Sequence, residues 1–324
     1  MIIRPRRLRK NQSIRNMTAE TRLSPSMFIY PVFVREGENI TEDIPAMPGQ
    51  KRYSPERLPY ILERAVKNKI GGVLFFGIPE HKDETGSSAW AENGVIQQAI
   101  KISKREFPDL TVIGDVCLCE YTSHGHCGLI KKGIVDNDST LEILSRVAVS
   151  QAEAGADIVA PSDMMDGHTR AIREALDEKN FQDTLIFSYA VKYASAFYGP
   201  FREAAGSAPA FGDRKTYQMN PKNIREAIKE AILDVNEGSD MIIVKPGLPY
   251  LDVLKSVKES VYVPVASYSV SGEYSMIKAA AHNGWLNEKN VVSEAAISMA
   301  RAGADIIISY YALELAEWVI NGEI

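Results

Sequence analysis

Three cysteines and two histidines crowd into one short stretch, Asp115-Val-Cys-Leu-Cys-Glu-Tyr-Thr-Ser-His-Gly-His-Cys-Gly128. It contains all the cysteine of the chain, Cys117, Cys119 and Cys127. Thiolates beside imidazoles suit zinc, whose borderline softness favours sulfur and nitrogen over a purely carboxylate shell. Three sulfurs rather than four leave a coordination position for water or substrate, the mark of a catalytic rather than a closed structural zinc. The competing reading is three reduced cysteines packed as small hydrophobes, or a zinc that only holds a loop.

A second pair of residues points to carbonyl chemistry. Lys192, in Ser188-Tyr-Ala-Val-Lys-Tyr-Ala-Ser195, and Lys245, in Ile242-Ile-Val-Lys-Pro-Gly247, are both flanked by apolar residues. A lone lysine so placed commonly packs its stem and keeps its ammonium in water. Nucleophilic attack needs the free amine, which at an ordinary pKa near ~10.4 is about one molecule in a few thousand at pH 7. Burial and a second ammonium nearby both disfavour the charge, so paired lysines suggest Schiff-base catalysis on a keto substrate.

These residues need a frame, and the chain supplies one rhythm from Met27 onward. Apolar runs fall at Phe28–Val34, Gly72–Gly77, Thr111–Cys117, Ile158–Ala160, Leu185–Ala190, Met241–Val244, Val263–Tyr268 and Ile306–Tyr310. Between them lie amphipathic segments such as Pro55–Lys69, Val95–Phe107, Leu141–Ala154, Asn223–Asn236 and Val291–Ala302. Runs apolar at successive positions read as strands buried on both faces, and their alternation with helices implies a parallel sheet. Three junctions repeat, Ala154-Gly-Ala-Asp157, Glu237-Gly-Ser-Asp240 and Ala302-Gly-Ala-Asp305, each a glycine-capped helix end feeding a strand. Eight strands predict an α/β fold, the closed (β/α)8 TIM barrel. An open doubly wound sheet is the runner-up, without the Gly-x-Gly-x-x-Gly turn that would favour it. The expected division is an extended N-terminal arm, residues 1–26, and a single barrel domain, residues 27–324.

A barrel places its chemistry at the C-terminal ends of the strands. The cysteine cluster follows the third strand, Lys192 and Lys245 follow the fifth and sixth, Asp115 lies in the third and Ser162 just past the fourth. The long segment from Tyr193 to Gln218, rich in Gly, Pro and aromatics, reads as a lid. Arg202 and Arg214 within it suit a substrate carboxylate, or alternatively pair with Glu203 and Asp213. Ser271-Gly-Glu following the seventh strand reads as a helix cap or an anion site, and Tyr310 ends the eighth strand. His168 and His282 give no pattern, and Met164 and Met165 read as packing.

Composition excludes several classes. The 324 residues carry a formal net charge of −5, which argues against general nucleic-acid binding. No apolar run is long enough to span a bilayer. Three closely spaced cysteines make a poor disulfide framework, so a reducing compartment and a cytoplasmic location are expected. The basic opening, Arg4-Pro-Arg-Arg-Leu-Arg-Lys10 through Arg15, admits a transit peptide, a nucleic-acid arm or an arm docked on a neighbouring subunit; a secretory signal is excluded for want of an apolar core segment.

The combination resembles the porphobilinogen synthase (5-aminolevulinate dehydratase) family. The carrying motifs are the 115–128 stretch, Val191-Lys-Tyr-Ala-Ser-Ala-Phe-Tyr-Gly-Pro-Phe-Arg202, Phe211-Gly-Asp-Arg-Lys-Thr-Tyr-Gln-Met219, Ile243-Val-Lys-Pro246, Val270-Ser-Gly-Glu-Tyr274, the basic arm and Ser309-Tyr-Tyr311. The resemblance implies a lyase of tetrapyrrole (haem) synthesis that condenses two 5-aminolevulinate molecules to porphobilinogen with loss of two waters. It implies Schiff bases at Lys192 (A-side substrate) and Lys245 (P-side substrate), with Asp115 and Ser162 near a catalytic Zn2+ on Cys117, Cys119 and Cys127. It further implies an A-side carboxylate on Arg202, Arg214 and Gln218 and a P-side carboxylate on Ser271 and Tyr310, with Tyr198, Phe201 and Tyr268 about the substrates. The family implies a homo-octamer in which the arm embraces a neighbour, and in some members an allosteric Mg2+ whose ligand position matches Glu230. Two departures stand out. Glu120 replaces a common proline, and Thr216 stands where some members have a cysteine of a second zinc site, so no second zinc at His126 is expected. An aldolase-like barrel with one Schiff-base lysine and an incidental metal remains the alternative.

Overall fold

The computed structural model describes residues 2–324. Eight parallel strands form the core: β1 (Phe28–Arg35), β2 (Gly72–Ile78), β3 (Val112–Val116), β4 (Ile158–Pro161), β5 (Leu185–Lys192), β6 (Met241–Lys245), β7 (Val265–Ser269) and β8 (Ile306–Ser309). Each pairs with its successor, and β8 returns to β1 through Phe28 with Ile307 and Ile29 with Ile308, which closes the barrel. Nearly every strand residue is buried, as expected for strands walled by side chains inside and helices outside. The eight apolar runs read from the sequence are these strands, with ends moved by one or two residues. Three of the shifts matter: Cys117 lies just beyond β3, whereas Lys192 and Lys245 are the last residues of their strands rather than loop residues.

The helices that enter the argument are α1 (Leu58–Lys67), α2 (Val95–Glu106), α3 (Asn137–Glu153), α4 (His168–Glu178), α5 (Arg225–Asn236), α6 (Leu251–Lys258), α7 (Ser271–His282), α8 (Glu288–Ala302) and α9 (Ala312–Ile320). The repeated junctions do more than turn the chain. Gly155, Gly238 and Gly303 take positive φ of 102°, 106° and 116°, which a side chain would oppose. The aspartate two residues on then reaches sideways: Asp157, Asp240 and Asp305 each accept at 2.8 Å from the first or second backbone N–H of the neighbouring strand, at Val112, Ile186 and Val265. Three identical clasps thus secure the N-terminal rim, the stability face of a barrel, and leave the opposite rim free for chemistry.

One irregularity re-aims the site. Between β5 and β6 the register runs Ser188 with Ile242 but Val191 with Val244, so β5 carries one extra residue. A bulge of this kind breaks strand alternation. It turns Tyr189 and Lys192 toward one side although they are three apart, while Ser188 meets the helices outside.

Ahead of β1, a short 3-10 helix at Pro5–Arg9 and a helix at Gln12–Met17 bury no residue against the barrel, and Ile2, Ile3, Leu8 and Met17 are exposed. No helix among the described residues is long and apolar enough to cross a membrane.

Candidate active site

The C-terminal ends of β5 and β6 set the two lysines side by side. Lys192 and Lys245 are register partners on adjacent parallel strands, which sit ~4.8 Å apart. Both are 5% exposed, and their ammonium nitrogens lie 5.6 and 5.1 Å from the centre of the Tyr189 ring. Their surroundings then diverge. The Lys245 nitrogen sits over Tyr268 at 4.2 Å, Phe201 at 5.2 Å and Tyr198 at 5.4 Å. Burial, reinforced by the Lys192 charge, lowers its pKa to about 7. Lys192 instead donates to the Ser162 carbonyl. Burial pulls its pKa down, but the thiols of Cys127, Cys117 and Cys119 outweigh that and hold it above the usual lysine value.

The thiols come together as the spacing suggested. Cys117 Sγ is 3.4 Å from Cys119 Sγ, and the three sulfurs lie within 4.8 Å of one another, all buried. Sulfurs bound to one tetrahedral zinc with bonds of ~2.3 Å stand roughly 3.8 Å apart, so the cradle fits. Its protonation balance asks for a cation. Burial, and hydrogen bonds to Cys119 and Cys127, push the Cys117 thiol up; Cys119 is raised by its bond to Cys127 and by burial, although its contact with Cys117 opposes this. Only Cys127 is drawn down, by hydrogen bonds from the other two. A dication would allow all three to ionise.

Asp115 is buried, with Oδ1 lacking any hydrogen-bond partner, and burial followed by the Glu120 charge raises its pKa. It forms a tight group with Cys117 and Glu120. Glu120, 2% exposed, is 3.2 Å from Cys119 Sγ, so the departure from proline puts a carboxylate against the thiols.

The lid between Tyr193 and Gln218 contains a 3-10 turn at Ala196–Tyr198 and a helix at Gly199–Ala204. Arg214 does not pair with Asp213, which binds Lys215 instead; its Nη2 donates to Gly125 O at 2.9 Å and Ser207 O at 2.5 Å. Burial opposes the Arg214 charge, but Cys127 and Cys119 keep it protonated. Arg202 Nε, Arg214 Nε and Gln218 Nε2 are buried donors without partners. Orphan donors of this kind call for an acceptor.

Across the barrel mouth, the Tyr268 and Tyr310 hydroxyls meet at 3.3 Å, and Tyr198 OH donates to Tyr193 O at 2.8 Å and Lys245 O at 3.3 Å. Ser271 differs from the cap expected of it. It is the first residue of α7 and makes no cap; its Oγ accepts from Phe201 N at 2.9 Å and donates to Phe197 O at 3.3 Å. The serine ties the lid to α7 because a tertiary backbone partner outcompetes the local one. Glu230 lies apart from this group, half-buried on α5 beside a cavity shared with Asp166, Asn220 and Glu226; its pKa is raised by burial and then by Asp166. Both ring nitrogens of His126 are engaged, by Tyr217 OH and Phe211 O at 3.0 Å each.

Residues 2–318 match the family model described as Delta-aminolevulinic acid dehydratase. The chain belongs to the delta-aminolevulinic acid dehydratase family. It is 54% identical over 316 residues to the delta-aminolevulinic acid dehydratase of Halalkalibacterium halodurans, covering 98% of this chain and 96% of the relative. It is 56% identical over 314 residues to that of Methanothermobacter thermautotrophicus, covering 96% of each. The crystal structure of the Toxoplasma gondii ME49 enzyme, in complex with the reaction product porphobilinogen, superposes with a TM-score of 0.97 at 45% identity, covering 99% of this chain and 92% of that one. Family membership agrees with the resemblance read from the motifs. Sequence reasoning missed Tyr189, which underlies both lysines, and the buried partners of His168. Tyr189 was in view within the Lys192 motif, but nothing in that motif signals the bulge.

Proposed function

We infer that this chain is a lyase that condenses two 5-aminolevulinate molecules asymmetrically to porphobilinogen with loss of two waters. The observation that carries the reading is the cross-strand pair Lys192–Lys245, buried at the same rim as three thiols. An aldolase-like site has use for only one of these amines, and a loop-holding zinc for neither.

Lys245 offers the better nucleophile, since about half of it is free amine near its pKa of about 7. Its attack on the ketone of the P-side substrate gives a carbinolamine, which expels water to form the imine. Lys192 does the same on the A-side, its Nζ oriented by the Ser162 carbonyl. The orphan donors of Arg202, Arg214 and Gln218 suit the A-side carboxylate, and Tyr310 with Ser271, once that hydroxyl turns from Phe197 O, would hold the P-side one. Tyr198, Phe201 and Tyr268 wall the Lys245 amine from water, and that burial disfavours its ammonium. Asp115, protonated more readily than a free carboxylate, is suited to exchange protons with the joining carbons.

Cys117, Cys119 and Cys127 would hold zinc, which when bound supplies a Lewis acid beside the substrates. The arm 1–26 would serve assembly of an octamer, its bare apolar residues covered by a neighbour, with 27–324 as the catalytic barrel. Glu230, with its acidic neighbours, would hold an allosteric magnesium. Reduced, metal-binding cysteines fit a cytoplasmic enzyme.

The deciding experiment is a colorimetric assay for pyrrole product from 5-aminolevulinate, run as purified, after chelation, and after zinc is restored. Product that vanishes and returns supports the reading; no pyrrole from the zinc-loaded protein refutes it.

A further inference from the structure

Beneath the turn that faces Lys192 lies a closed set of charged groups. His168 opens α4 and is 2% exposed, and Asp163 is wholly buried. His168 Nδ1 is 3.0 Å from both oxygens of Asp163, while Nε2 is 3.1 Å from Ser188 Oγ and 3.2 Å from Asp234 Oδ2. Ser188 in turn donates to Asp234 at 2.5 Å. Four elements therefore meet at one imidazole: the turn after β4, α4, β5 and α5. Burial alone would discharge the ring, but Asp163 and Asp234 hold it protonated, with pKa well above the ordinary histidine value.

The placement of the two ends gives the set a use. Asp163 follows Ser162, whose carbonyl receives Lys192 Nζ, and its carboxylate also accepts from Met165 N at 2.7 Å. That turn includes Met164 at φ +67°, a conformation a methionine does not hold unaided. The other end, Ser188, is the last regularly paired residue before the bulge that directs Lys192 inward. One imidazolium thus fixes both the acceptor of the Lys192 amine and the strand that carries the amine. Lys245 stands on the far side of Lys192, on β6, and none of these bonds reaches it.

We propose that His168 is a positioning residue for Lys192, bracing the Ser162 carbonyl against the bulge of β5 so that the amine presents its lone pair to the substrate. This rests on the Schiff-base reading above. With one N–H given to the Ser162 carbonyl, the free amine has its lone pair turned away from that oxygen. A turn free to shift by an ångström loses that direction, and misplacement on this scale costs large factors in rate.

The test is borohydride trapping on the zinc-loaded enzyme with 5-aminolevulinate, the adducts assigned to each lysine by peptide mass spectrometry. His168→Gln should lower the Lys192 adduct about tenfold relative to the Lys245 adduct, with zinc content unchanged and kcat reduced more than KM is raised. Adducts that fall together, or that both persist at wild-type levels, would overturn the proposal. If His168→Gln does not fold, Ser188→Ala decides. It deletes one partner of the ring and should still lower the Lys192:Lys245 ratio severalfold, and an unchanged ratio overturns the proposal. A wild-type enzyme giving no Lys245 adduct would instead refute the Schiff-base reading, and this proposal with it.

Discussion

Replacing Lys245 with methionine should make the protein more stable while abolishing its activity. Lys245 is 5% exposed and titrates at about 7, against 10.5 for the unperturbed side chain, so the fold carries an ammonium it disfavours. A depression of about 3.5 units at roughly 1.4 kcal/mol each sets a ceiling near 5 kcal/mol. The faces of Tyr268, Phe201, Tyr198 and Tyr189 return part of that through cation–π attraction, about 0.5–2 kcal/mol. Methionine matches the apolar stem and packs against the same rings without a charge.

The pH dependence separates this cause from better packing. Below pH 7 both the folded and the unfolded lysine are protonated, and the full penalty applies. As pH rises from 7 toward 10.5 the folded protein has released its proton while the unfolded chain still binds one, so wild-type stability climbs and the penalty is relieved. The difference between Lys245→Met and wild type should therefore be at least about 2 kcal/mol at pH 6 and clearly smaller at pH 9. Denaturant midpoints on zinc-loaded proteins at equal concentration measure it. A variant that is less stable at pH 6, or a gap that is constant or grows with pH, would refute the argument that Lys245 is held neutral by burial.

The same titration should appear in catalysis: kcat/KM should decline below pH about 7 with the loss of one proton-free group, and a profile flat down to pH 5.5 would remove Lys245 as the limiting nucleophile. Gly272→Ala would place a Cβ 2.5 Å from Phe197 O and 2.8 Å from Phe197 Cα, backbone that cannot yield without moving the lid. KM should rise on the order of tenfold at unchanged zinc content, and an unaltered KM would show that the lid does not depend on its seat on α7. Chelation should abolish activity with the helical circular dichroism signal largely kept, because the three cysteines form a cluster separate from the main core and pack with Tyr217. Loss of half that signal would mean the metal holds the fold together.

The barrel was legible because its strands are buried on both faces and read as unbroken apolar runs, and because the Gly-x-Asp junctions repeat. The thiol cluster was legible because its members lie close along the chain. What could not be read depends on register and long-range partners. The bulge in β5 leaves no mark in Ser188–Lys192, so the sharing of one side by Tyr189 and Lys192 was hidden. His168 looked featureless because its partners Asp163, Ser188 and Asp234 are distributed over three other elements, and only the barrel's closure brings α4 and α5 against the same strand. Ser271 carried the generic signal of a helix cap, while its actual partners, Phe197 and Phe201, sit some seventy residues earlier. The alternative pairing of Arg214 with the adjacent Asp213 does not form, because its guanidinium turns to the carbonyls of Gly125 and Ser207.

Two neighbouring lysines with opposite shifts also indicate how the thiols bear on more than metal binding. Both amines are buried to the same extent, so burial lowers both; what differs is the charge they face. Lys245 meets aromatic rings and the Lys192 ammonium, whereas Lys192 is held protonated chiefly by Cys127, Cys117 and Cys119. Without metal only Cys127 is drawn toward the thiolate, a charge of −1, and three thiolates on a dication also sum to −1, so the cation that completes the cradle leaves the charge facing Lys192 nearly unchanged. Chelated and zinc-loaded protein should therefore show Lys192 about equally reactive toward an amine acylating reagent at pH 8, and Lys245, whose pKa answers to the Lys192 charge, should change little. Site-resolved mass spectrometry of the acylated protein measures both. A severalfold change in Lys192 reactivity between the two states would refute this charge balance.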